Sequence, residues 1–273
     1  MQKIHRSTVS GSTATPLRRF KQGLFAALLA VVSLCSTSSF AVPNPDGNYN
    51  LSMDARAGSP YPPSDNYSAD LKTSGVGPAF TVPVSRHHII AYNQLRDFYM
   101  SVVQRGHLKE LKGFWDGFGA RFLSYGQDNR VNVTAPVAAD YDQAKTLLEE
   151  IGRGVVRANE GVPPRPLGWD TFHGFYTWMP WNLFLGPNGR NDDPGEQFET
   201  NAQYIINNKD TWNTIINVRD NMLSYQRDGN VKTLANINSQ LLRLSARTRV
   251  YPLVSDQWIR VAPNVYKIRV PSN

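Results

Sequence analysis

Ser85-Arg86-His87-His88-Ile89-Ile90-Ala91-Tyr92-Asn93 is the stretch from which the rest of the chain is read. Two of the five histidines stand side by side here. They fall between an apolar, β-prone run (Phe80, Val82, Val84) and a segment that turns helical at Tyr92. Adjacent residues of a strand point to opposite faces. A histidine pair at a strand end can therefore aim one ring at a metal and the other at a substrate.

Toward the N-terminus, residues 79–90 read as the strand that carries the pair. Residues 42–78 are rich in Pro, Gly, Ser, Asn and Asp without a period of 2 or 3.6, and read as a loop or linker. Residues 1–41 read as a cleavable secretion signal. Lys3, Arg6, Arg18, Arg19 and Lys21 precede the apolar run Leu24 to Leu34, and Ser39-Phe40-Ala41 offers a small-x-small cleavage pattern. The expected location is thus secreted or periplasmic, with no stable membrane anchor after cleavage. The net charge of +7 belongs mostly to this segment: without its five basic residues, 24 Lys and Arg face 22 Asp and Glu. The near-neutral remainder weakens any inference of nucleic-acid binding from charge alone. Cys35, the single cysteine, also lies in the segment. The remaining chain can form neither disulfides nor thiolate zinc sites, which leaves imidazole, carboxylate and amide oxygen as metal ligands.

Toward the C-terminus the pattern is helical. Leu95, Phe98, Tyr99 and Val102 make one stripe. Leu108, Leu111, Trp115, Phe118 and Phe122 make a second, and Tyr141, Ala144, Leu148, Ile151 and Val155 a third that starts at Asp140. Phe172, Phe175, Tyr176, Trp178 and Trp181 form an aromatic cluster. Asn182 to Pro187 reads as a short buried strand. Asp193-Pro194-Gly195-Glu196 reads as a capped helix start. Three further helical stripes follow, around Phe198, Trp212 and Val231, and from Arg249 the pattern turns to β. The expected fold is α+β: one mainly helical domain over 79–248 with a helical insertion at about 92–170, and a β segment over 249–273 packed on it.

A strand ending in His-His, a strand beginning with Asn, and then a turn into a capped segment resemble the HNH, or ββα-metal, nuclease family. The likeness is strongest to the His-His toxin nucleases that bacteria secrete against rivals. It rests on Arg86-His87-His88-Ile89-Ile90 and on Trp181-Asn182-Leu183-Phe184-Leu185 running into Asn188-Gly189-Arg190-Asn191-Asp192-Asp193. Two departures stand out: about 90 residues separate the pieces, and the usual cysteine and third-histidine ligands are missing.

The resemblance implies His87 as metal ligand, His88 as general base, Asn182 as the residue that holds the base's loop, and Asn191 as second ligand. Asp192 or His173 would substitute for Asn191. It also implies one divalent cation (Mg²⁺, with Zn²⁺, Mn²⁺ or Ni²⁺ as alternatives), DNA or RNA as substrate, and an immunity protein as partner. Arg86 and Arg190 are candidates for gripping phosphate. Arg243, Arg247, Arg249 and Arg260 form a further basic group near the C-terminus. The competing class is an exported, non-enzymatic helical binding protein that docks a peptide, glycan or partner through its aromatic cluster.

Overall fold

The two pieces of the histidine site are strands of one ribbon. In the computed structural model, β1 (Val84–His88) runs antiparallel to β2 (Leu183–Pro187), with His87 opposite Phe184 and His88 opposite Leu183. The structure describes residues 51–53, 55–64, 71, 82–154 and 165–272, all within one unit that begins at Phe40. The secretion signal expected at 1–41 lies outside them.

Among the described residues, five α-helices stand between the strands: α1 (Tyr92–Gln104), α2 (Lys112–Gly119), α3 (Phe122–Asp128), α4 (Ala135–Gly152) and α5 (Trp169–Thr177). Closing a loop of that length costs about 4 kcal/mol of chain entropy. The burial of three aromatic side chains, at about 1.5–3 kcal/mol each, exceeds it. The block buries more than three: Tyr99 of α1 meets the rings of Trp115, Trp169, Phe172 and Tyr176, all at most 1% exposed. The stripe Leu95, Phe98, Tyr99, Val102 forms the inner face of α1, as its 3-4 spacing dictates.

After β2 come α6 (Ala202–Ile206), α7 (Lys209–Asp228) and α8 (Val231–Ser245). Gly229 ends α7 at φ +66°, a left-handed conformation that favours glycine, and the Asn230 side chain caps α8 at Lys232 N. β3 (Trp258–Ala262) and β4 (Val265–Ile268) close the chain as an antiparallel hairpin. The fold is α+β and mainly helical, with two small antiparallel sheets among the described residues. No helix among them is long and apolar enough to cross a membrane.

Several expectations are corrected. The stripe from Leu108 to Phe122 is broken into a 3-10 turn, α2 and α3, with an interruption at Ala120 and Arg121. α4 starts at Ala135 rather than Asp140, because Pro136 suits a first turn. Of 249–254, only Tyr251 pairs, through a parallel bridge to Phe184. The capped helix at Asp193 does not form. Gly195 turns left-handed at φ +64° and donates its N–H to Asp193 Oδ1, so the chain makes a turn there and becomes helical only at Ala202. The described residues of 42–78 carry no helix or strand, and Leu51, Met53, Tyr61 and Leu71 tie that loop into the core.

Candidate active site

The β1–β2 ribbon has two faces, and alternation assigns each histidine to one of them. Ser85, His87, Phe184 and Gly186 share the first face; His87 stacks on Phe184 at 5.3 Å. Trp258 of β3 covers this face, and a Cβ at position 186 would run into its ring, which is why glycine stands there. Val84, Arg86 and His88 lie on the second face.

Asn182 anchors the end of the ribbon. Its Oδ1 accepts from Ile90 N at 2.7 Å, its Nδ2 donates to the Ile90 carbonyl at 2.9 Å, and its own carbonyl accepts from Ile89 N at 2.9 Å. The side chain is fully buried. The amide satisfies a donor and an acceptor of the chain leaving β1, both of which would otherwise be buried without partners.

On the first face, His87 Nε2 lies 3.1 Å from the Pro187 carbonyl and 3.1 Å from Ser85 Oγ. A carbonyl only accepts, so Nε2 carries the hydrogen in the neutral ring. The lone pair is then on Nδ1, 3.4 Å from Asp193 Oδ2. Burial, followed by the neighbouring Arg190, lowers the His87 pKa against the opposing pull of Asp193. In the neutral form two electron-rich atoms therefore face each other with no proton between them. At bonds of about 2.1 Å, a separation of 3.4 Å is that of two donors of one ion at a near-tetrahedral angle. The Pro187 carbonyl behind the ring fixes the tautomer, as carbonyls do behind metal-bound imidazoles. Among the described residues, no group of three or more His, Cys, Asp and Glu side chains could hold a metal.

On the second face, His88 Nε2 donates to the Thr177 carbonyl at 2.9 Å, and Arg56 Nη2 donates to Nδ1 at 3.0 Å. The ring packs on Trp178 at 4.9 Å, and Arg56 lies 4.4 Å above the same indole. Burial first, then the Arg56 charge, pull the His88 pKa down to about 4, so the ring is neutral at neutral pH.

Two of the expected site residues have other work. Arg190 was expected to grip phosphate, but its guanidinium is 1% exposed. It pairs with Glu199 at 2.6 Å and Asp192 at 3.1 Å, and sits over Phe184 and Trp258. Asp192 also accepts from Ile268 N, so its carboxylate ties the loop to β4. The structure brings Asp193, rather than Asn191, against His87; the hydrogen bond at Asn191 is a main-chain one, to the Tyr266 carbonyl. His173 is buried beside Trp169 in the aromatic core. Arg86 is half-buried over the Tyr61 ring at 5.2 Å.

Arg56 and Asp193 are the residues that sequence reading passed over. Arg56 lies in a stretch without periodicity. Asp193 carried a signal, an Asp directly before Pro-Gly, that equally describes a helix cap.

No protein-family model matches the chain, and no solved structure matches it. It is similar to protein p9 of Acyrthosiphon pisum secondary endosymbiont phage 1, at 35% identity over 134 residues, which is 46% of this chain and 35% of that protein. The chain therefore spans about a third of the length of the curated relative it matches.

Proposed function

We propose that the protein is a metal-dependent endonuclease that hydrolyses phosphodiester bonds of DNA, with RNA as the alternative substrate. The observation that carries this reading is His87 Nδ1 at 3.4 Å from the Asp193 carboxylate, on the same Asn182-anchored ribbon that holds His88. His87 and Asp193 would hold one divalent cation, Asp193 taking the ligand role expected of Asn191. Such a cation, at the end of the ribbon, would supply positive charge toward the phosphoryl group.

The chain's own residues do the rest. His88 is already neutral, and its Nε2–H is committed to Thr177, which leaves Nδ1 as the basic atom. Arg56 occupies that atom in the free protein. An incoming phosphate, being anionic and able to accept two bonds from a guanidinium, draws Arg56 away. Nδ1 then accepts a proton from water as the water oxygen bonds to phosphorus and the bond to the departing sugar oxygen breaks. Arg56 paired to phosphate no longer opposes a charge on the ring, so His88 becomes more basic as substrate binds.

The competing binding-protein reading needs an accessible aromatic cluster. Phe172, Phe175, Tyr176 and Trp181 are at most 1% exposed, so that reading would rest on the half-buried Trp178 beside His88. The test is incubation of the purified protein with supercoiled plasmid and Mg²⁺ or Mn²⁺, with and without chelator. Nicking that chelator abolishes is expected; intact plasmid and intact RNA under all conditions overturn the reading.

A further inference from the structure

A second feature lies on the Arg86 face of the ribbon. A cleft of about 290 Å³ is bounded by Val84, Arg86 and Leu185 of the ribbon, by Pro62 to Ser64, and by Asp128 to Arg130 and Arg249 to Leu253. Three arginines, Arg86, Arg130 and Arg249, and one carboxylate, that of Asp128, line it. The carboxylate is shared: Asp128 accepts from Thr248 Oγ1 and, at 3.3 Å, from Arg249. Arg86 Nε is buried without a hydrogen-bond partner among the described residues. Burial first, and the nearby Arg130 charge after it, lower the Arg86 pKa. A guanidinium at the wall of a cleft that two further arginines line suits an oxyanion.

The position of the cleft narrows the ligand. Arg86 and His88 are two residues apart on one strand, so they share a face and lie roughly 6.6–6.8 Å apart along it. We propose that the cleft holds a phosphate group of a nucleic-acid strand running along this face of β1 toward His88. This rests on the nuclease reading. It adds Arg249 and Arg130 to the substrate contacts and gives the strand a direction. Of the C-terminal arginines, only Arg249 takes this role: Arg247 is stacked on Tyr251 at 3.6 Å.

Arg249 is the residue to test, since its side chain is 73% exposed. The full chain carrying His88→Ala, which removes cleavage, is titrated with a fluorescein-labelled single-stranded 12-mer DNA at several salt concentrations. Adding Arg249→Ala is expected to weaken binding about five- to tenfold and to reduce the salt slope by about 0.7. Adding Asp128→Asn, which removes the opposing charge and keeps the shape, is expected to tighten binding about two- to threefold. A purely structural role for these residues would not move affinity in opposite directions. Unchanged affinity and slope in Arg249→Ala overturn the cleft proposal, while plasmid nicking by the unmodified chain leaves the active-site reading standing. If that chain nicks nothing, the nuclease reading falls, and calorimetry with pyrophosphate decides the cleft. Binding that Arg249→Ala loses supports an oxyanion site; no binding, or equal binding, overturns it.

Discussion

The side-chain amide of Asn182 grips the peptide unit of Ile90 from both sides, accepting from its N–H and donating to its carbonyl across 92 positions of sequence. Asn182→Ala leaves both backbone groups buried and unsatisfied. The expected loss is about 2–4 kcal/mol, read as a lower denaturation midpoint. Asn182→Asp keeps the acceptor but turns a carboxylate toward the Ile90 carbonyl, and is expected to be no better than alanine. A loss below about 0.5 kcal/mol in the alanine variant would show that the clamp does not hold the ribbon.

His87 and Asp193 are expected to share a cation. Calorimetric titration of the chelator-stripped protein with Mn²⁺ should show one site, weakened at least about tenfold by either His87→Ala or Asp193→Ala. Asn191→Ala should leave the affinity within about twofold. Loss of binding in Asn191→Ala together with normal binding in Asp193→Ala would restore the assignment expected from sequence.

On the second face, His88→Ala should lower plasmid nicking about 10²- to 10⁴-fold with the circular-dichroism spectrum unchanged. Arg56→Ala should lower it about tenfold or more, with Arg56→Lys in between, because lysine keeps the charge and loses the planar fork. Full activity in Arg56→Ala would exclude its role at phosphate.

The pH dependence of stability has a defined sign. Burial, with Arg56 second, holds the His88 pKa at about 4, below the ordinary ~6.5. Between those values the unfolded chain binds a proton that the folded chain does not. The stability is therefore complete above about pH 6.5 and is lost as pH falls toward 4, by at most about 3 kcal/mol. Thermal unfolding in the presence of chelator should show a falling Tm across this window. His88→Gln should remove the larger part of that fall; a variant with the same slope would place its cause elsewhere.

The Arg190–Glu199 pair, at 1% and 2% exposure, is expected to be structural. Glu199→Gln leaves a buried guanidinium short of its counter-charge and should cost about 3–5 kcal/mol by chemical denaturation. A near-neutral effect would mean that Asp192 alone compensates the charge.

The sequence by itself determined the local elements whose periodicity is strong. The Leu95–Phe98–Tyr99–Val102 stripe marks α1, Gly229-Asn230 marks the α7–α8 turn, and alternation alone sends His87 and His88 to opposite faces. It also placed a short strand at Asn182 to Pro187, which in the structure starts one residue later, at Leu183, with Asn182 ending a 3-10 turn. Only the tertiary structure decided what those faces meet. Asp193 left a helix cap for His87 because Gly195 could turn left-handed. Arg190 went inward to Glu199, and Arg56 came from an aperiodic stretch to His88. Periodicity is set by contacts between near neighbours in the chain. A ligand, an ion pair or a cap is chosen by which distant group packing brings within 3–4 Å, and residue spacing carries no record of that choice.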